Sequence, residues 1–167
     1  ALKMPREVGK IFRRVLLRKY MQIATAFTVP MFHSSPKYLV DTDWIVHYLR
    51  GRHEGIISRL LELSSEGLVA VSIISVAELY HGAYKSKRQE QNLKGIENFL
   101  SNVELLIISE SIAKRFGREK VALHNKRTPI DGLDLFIGCT ALEYGLTLLT
   151  NNSKHYKYIE GLKIESL

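Results

Sequence analysis

Tyr38-Leu39-Val40-Asp41-Thr42-Asp43 is the stretch on which the reading of this chain turns. Three apolar residues of a short strand run directly into an acid, and the following Trp44, Ile45, Val46 and Leu49 recur at helical spacing. A strand that passes into a helix through Asp41 places that carboxylate at the carboxyl edge of a sheet, where open α/β folds bind their ligands.

The same alternation continues outward. Short apolar runs predict strands over 38–40, 68–72, 103–107 and 146–150, with a short one over 163–165. Amphipathic stretches predict helices over 43–49, 55–65, 76–84, 89–101, 110–124 and 132–144, with Gly145 as the left-handed residue that ends the last. Strands separated by crossover helices imply an α/β, three-layer sandwich with a central, mostly parallel sheet. The 167 residues suffice for one such core and are too few for two of ordinary size.

Residues 1–36 read differently. Lys3, Arg6, Lys10, Arg13, Arg14, Arg18 and Lys19 face a single acid, Glu7, so six of the seven net positive charges precede residue 37. Val8, Ile11, Phe12 and Val15 fall at helical spacing, predicting a short basic amphipathic helix, and His33-Ser34-Ser35-Pro36 reads as a linker. The expected organisation is a basic extension and linker over 1–36 and one domain over 37–167. The extension either touches RNA, an anionic surface or a protein partner, or is translated sequence upstream of a start at Met21 or Met31. Gln22, Thr25, Thr28 and Pro30 interrupt its apolar stretch well before the ~18 residues a membrane span requires. The lone Cys139 permits no intrachain disulfide and fits a reducing compartment, so a cytoplasmic location is expected.

Candidate chemistry collects where helices start. Glu78, in Ser75-Val76-Ala77-Glu78, and Asp134, in Asp131-Gly132-Leu133-Asp134, belong to segments placed at the same edge of the sheet as Asp41. Each motif taken alone is accounted for by helix capping, the first as a capping box and the second as a variant with Asp at both ends. Three segments converging is a different matter. Carboxylates gathered at one sheet edge repel one another unless a cation compensates them, and hard oxygen donors select Mg²⁺ or Mn²⁺.

Taken together, Tyr38-Leu39-Val40-Asp41-Thr42-Asp43, Ser75-Val76-Ala77-Glu78-Leu79 and the run from Asp134 through Gly138, Cys139 and Gly145 to Thr150-Asn151-Asn152 resemble the PIN domain. The resemblance is strongest to the VapC-type toxins of toxin–antitoxin pairs and covers about 37–167. It implies a Mg²⁺- or Mn²⁺-dependent endoribonuclease that cleaves phosphodiesters with metal-activated water, with Asp41, Glu78 and Asp134 as metal ligands and catalytic acids. It also implies a cognate antitoxin and a homodimer. Many members carry a further acid after the strand ending at Thr150, where this chain has Asn151-Asn152-Ser153-Lys154-His155. One tightly held ion is therefore expected, with any second arriving on the RNA phosphate. Asn152, through its amide, and Asp131, through its charge, are candidates to stand in for the missing acid. Thr42 and Thr150 are candidates to hydrogen-bond the carboxylates, or are ordinary strand-end threonines.

Two competing readings remain. Asp41-Thr42-Asp43 after a strand also resembles the nucleophile motif of haloacid-dehalogenase-like phosphatases, but Ile45 stands where that family needs Thr or Val. A non-catalytic binding or assembly module with an incomplete acidic pocket is the other. The six histidines contain no i, i+4 pair of the helical zinc type and read as surface or packing residues.

Overall fold

A computed structural model describes residues 35–167; the basic helix expected around residues 8–15 lies outside them. The chain runs β1 (Tyr38–Val40), α1 (Thr42–Leu49), α2 (Glu54–Ser65), β2 (Val69–Ser72), α3 (Ile73–Tyr84), α4 (Gln89–Leu100) and β3 (Glu104–Leu106). It continues through α5 (Glu110–Asn125), α6 (Gly132–Tyr144), β4 (Thr147–Leu149), α7 (Ser153–Tyr156) and β5 (Ile164–Glu165).

All five strands pair in parallel in the order β3-β2-β1-β4-β5, so the sheet is wholly rather than mostly parallel. Successive strand residues point to opposite faces, which sorts the core into two halves. Val40, Val69, Val71 and Leu149 meet Trp44, Ile45, Leu60, Leu79, Ile96 and Phe99 from α1–α4. Leu39, Ala70 and Leu148 meet Ile112, Leu123, Leu135, Ile137 and Tyr156 from α5–α7. Both faces being covered explains why the strands read as continuous apolar runs rather than alternating ones. The three-layer sandwich expected from the sequence is the architecture found.

The order also fixes where a ligand site belongs. From β1 the chain moves outward to β2 and β3, then returns to place β4 on the other side of β1. Strand order therefore reverses between β1 and β4, and the crevice beyond their carboxyl ends is the topological switch point. Asp41 follows β1 and Thr150 follows β4 at that crevice.

Three helices start earlier than expected, α1 and α2 by one residue and α3 by three. Asp41 itself caps α1, and α3 begins at Ile73, with the Ser72 hydroxyl accepting from the Ile74 N–H at 3.1 Å. Ser75, the expected cap, lies instead inside the first turn of α3; its buried hydroxyl has no hydrogen-bond partner among the described residues. The one-turn α7 has no counterpart in the sequence expectations. Gly145 ends α6 in the left-handed conformation, φ 66°, as expected.

Candidate active site

Asp41 is only 4% exposed, yet among the described residues no basic side chain pairs with it. Its backbone is extended, its N–H continues the sheet ladder to the Leu149 carbonyl at 3.0 Å, and its Oδ1 accepts from the Thr42 N–H at 2.8 Å. Oδ2 accepts from the Thr150 hydroxyl at 2.8 Å, and that hydroxyl oxygen in turn accepts from the Asn152 N–H at 2.9 Å. The end of β4 thus grips the carboxylate that ends β1.

Thr42 reaches the other way. Its hydroxyl donates to Glu78 Oε2 at 2.5 Å, tying the start of α1 to the second turn of α3. Asp43, on the same helical turn, accepts from the Trp44 N–H at 2.7 Å and the Asn151 N–H at 2.9 Å. Asp134 enters from the first turn of α6, where Asp131 is the cap and accepts from the Leu133 N–H at 2.8 Å.

Two further residues converge that the sequence does not single out. His155 Nδ1 lies 2.8 Å from Asp134 Oδ2 and 2.8 Å from Asn152 Nδ2. It can donate to the first or accept from the second, according to its tautomer. Tyr156 is buried, with its hydroxyl donating to Asp134 Oδ1 at 3.4 Å. The Asn152 amide is thus directed at His155, and Asp131 is engaged as a cap. The only sequence signal for His155 and Tyr156 is their place just after Thr150, in the segment where the resemblance expects another acid.

The electrostatics follow from burial without compensation. Burial pushes the Asp41 carboxyl up to about 6, helped by the charge of Asp43 and opposed by the Thr150 and Thr42 hydrogen bonds. Asp43 is raised mainly by burial. Glu78 is raised by burial first, then by the charges of Asp134 and Asp131, against the Thr42 hydrogen bond. Tyr156 is raised by burial and by the nearby Asp41 and Asp134 charges, so its hydroxyl stays a donor. Among the described residues no three His, Cys, Asp or Glu side chains already form a cage for an ion. The carboxylates are turned onto Thr42, Thr150, His155 and backbone N–H groups, and ion binding would exchange some of those contacts. The donors are hard oxygens around uncompensated negative charge, the chemistry that suits Mg²⁺ or Mn²⁺.

The chain is similar to known proteins in sequence and fold. The PIN domain family matches residues 38–160. Ribonuclease VapC2 of Haemophilus influenzae is 35% identical over 130 residues, covering 78% of this chain and 97% of the relative. The tRNA(fMet)-specific endonuclease VapC of Salmonella typhimurium is 32% identical, over 77% and 96% of the respective chains. Among solved structures, VapBC2 of Rickettsia felis, bound to a promoter DNA fragment, superposes with a TM-score of 0.72 at 32% identity, covering 77% of this chain and 97% of its own. DNA-bound VapBC of Salmonella typhimurium does so with a TM-score of 0.73 at 31% identity, covering 78% and 98%. The phosphatase reading falls with these matches: the chain belongs to the PIN-domain family and, within it, to the VapC ribonucleases.

Proposed function

We propose that the chain is a divalent-metal-dependent endoribonuclease, the toxin of a toxin–antitoxin pair, centred on Asp41, Glu78 and Asp134. The observation that carries this reading is Asp41: a carboxylate 4% exposed, at the topological switch point, with its pKa pushed up to about 6 and Asp43, Glu78 and Asp134 around it. Asp41 also caps α1, but so much negative charge around a buried carboxylate with no basic partner among the described residues is more than capping needs and suits a dication. Relatives matched over nearly their whole length that bear ribonuclease and tRNA endonuclease names support RNA as the substrate.

Asp41 and Asp134 would be the principal ligands of one Mg²⁺ or Mn²⁺, with Glu78 as a third ligand or as the base. When bound, the ion would acidify water and neutralise charge on the phosphoryl oxygens. The chain's own residues would do the rest. Thr150 and the Thr42 N–H fix the Asp41 carboxylate through both oxygens. Thr42 holds Glu78 from the same turn, and the raised pKa of that carboxyl equips it to accept the proton of the attacking water. His155 and Tyr156 orient Asp134.

The nuclease domain in this reading is 37–167, preceded by the basic extension 1–36. A cognate antitoxin would cover the acidic crevice with a basic side chain, and the chain would act as a homodimer in the cytoplasm. VapBC complexes among the structural neighbours support the first point. Among the described residues no helix is long and apolar enough to cross a membrane. The test is incubation of the purified chain with defined RNAs and total tRNA in Mg²⁺, Mn²⁺ or EDTA. Metal-dependent, EDTA-sensitive internal cleavage is expected; absence of cleavage of every RNA in either metal would favour a non-catalytic module.

A further inference from the structure

Glu78 has a second setting. With Leu79, Gly82 and Ala83 it forms one face of α3, and this face, α1 and α4 line a groove of about 370 Å³. That volume lies within the ~300–1,000 Å³ typical of small-ligand sites. The floor is apolar, formed by buried Leu79, Ala83 and Ile96. Around it stand the amides of Gln91, Asn92 and Asn98, together with Arg50 and Lys94. Both cations are exposed, and neither has an ion-pair partner among the described residues.

The glycines are informative. Gly82 sits inside α3 with an ordinary helical backbone, and a Cβ built there meets nothing within 4 Å. Gly95, inside α4, would bring its Cβ to 3.5 Å from Leu49, an ordinary contact. Glycine inside a helix costs ~1 kcal/mol relative to alanine, and at Gly82 neither a positive φ nor a close approach requires it. What its missing side chain leaves is open space in the groove, one helical turn from Glu78.

We propose that this groove seats a nucleotide flanking the scissile phosphate of the RNA, its base over Leu79, Ala83 and Ile96 and its phosphate on Arg50 and Lys94. The inference rests on the ribonuclease reading and extends it to a substrate subsite. An unstacked base offers a π-face to an apolar floor and hydrogen-bonding edges to amides, and its phosphate needs unpaired cations. The groove supplies all three beside a site carboxylate. The two exposed cations answer the charge of a nucleotide phosphate and the three amides the hydrogen-bonding edges of a base.

The experiment measures binding of the full chain, in EDTA, to a fluorescent random-sequence single-stranded RNA of ~12 nucleotides and to total tRNA over a range of salt. Gly82→Leu fills the groove from open space without removing any polar contact; at least tenfold weaker binding is expected, with a melting temperature equal to or above that of the wild type. The Arg50→Ala/Lys94→Ala double variant, changed only at exposed side chains, should weaken binding evenly across sequences and lower the salt slope by about 1.4. Wild-type affinity and slope in both variants would overturn the inference. So would Gly82→Leu binding RNA normally while losing association with a co-expressed antitoxin, since the groove would then dock protein. Failure of wild type to bind RNA in EDTA at any salt overturns it as well. The ribonuclease reading stands or falls separately, on cleavage by wild type in Mn²⁺.

Discussion

Replacing Asp41 with asparagine should make the metal-free protein more stable at neutral pH, although it removes a central residue of the site. The Asp41 carboxyl titrates at about 6 in the folded chain against an ordinary value of 3.8. The folded state therefore holds this proton more tightly, and stability is fully present below pH ~4 and is lost as pH rises through ~6. The difference amounts to roughly 3 kcal/mol at pH 7.5. In Asp41→Asn the new side chain would keep the bond from the Thr42 N–H through its oxygen and donate to the Thr150 oxygen through its amide, leaving the Thr150 hydroxyl proton unpaired at a cost of ~1 kcal/mol. The net gain of ~2 kcal/mol corresponds to a melting temperature higher by about 4–8 °C in EDTA at pH 7.5. At pH 5 the wild-type carboxyl is largely protonated only in the folded state, so the penalty is about 1.6 kcal/mol and the gain should shrink to roughly 0.6 kcal/mol, vanishing at pH ~4.5. Mn²⁺ at a hundred times its Kd should raise wild type by about 2.7 kcal/mol and leave Asp41→Asn unmoved. Thermal melts across pH, with and without Mn²⁺, read all of this. A variant no more stable than wild type in EDTA at pH 7.5 would refute the claim that Asp41 is an uncompensated buried charge.

Three other outcomes are expected. Thr150→Val leaves Asp41 Oδ2 and the Asn152 N–H without their partner; stability should fall by about 1–3 kcal/mol in denaturant melts and Mn²⁺ affinity by ~10–100-fold in calorimetry. Thr42→Val frees Glu78 from its 2.5 Å hydrogen bond, so kcat for RNA cleavage should fall ~10–100-fold with a smaller change in KM. Leu148→Ala, at a fully buried position of β4, should cost about 2–5 kcal/mol, visible as a lower urea midpoint at unchanged slope.

The sheet is readable in the sequence because each strand is short, apolar and followed by a separately periodic helix. Val40 and Leu39 point to opposite halves of the core, as a strand buried on both faces requires. The start of α3 is obscured because Ile73 and Ile74 extend the apolar run of β2 without a loop. Ser75-x-x-Glu78 then offers a second plausible cap, while Ser72 holds the actual one. A single helical turn such as α7 shows no periodicity, so Tyr156 cannot be recognised as core from its own neighbourhood. At the site, Asp41 and Glu78 stand out because helices that follow strands mark the sheet edge, and Asp134 because it lies in the first turn of the helix that leads into β4. Asp43 is held by Asn151, and His155 by Asp134, both partners distant along the chain. Those relations arise only when β4 packs beside β1, and no local pattern encodes them.

The central claim is tested most directly by cleavage of defined RNAs in Mn²⁺ by wild type, Asp41→Asn and Asp134→Asn, each first shown to melt cooperatively. The account predicts internal cleavage by wild type, abolished by EDTA and lost in both folded variants. Cleavage that persists in Asp41→Asn and Asp134→Asn, or that proceeds unchanged in EDTA, would contradict it.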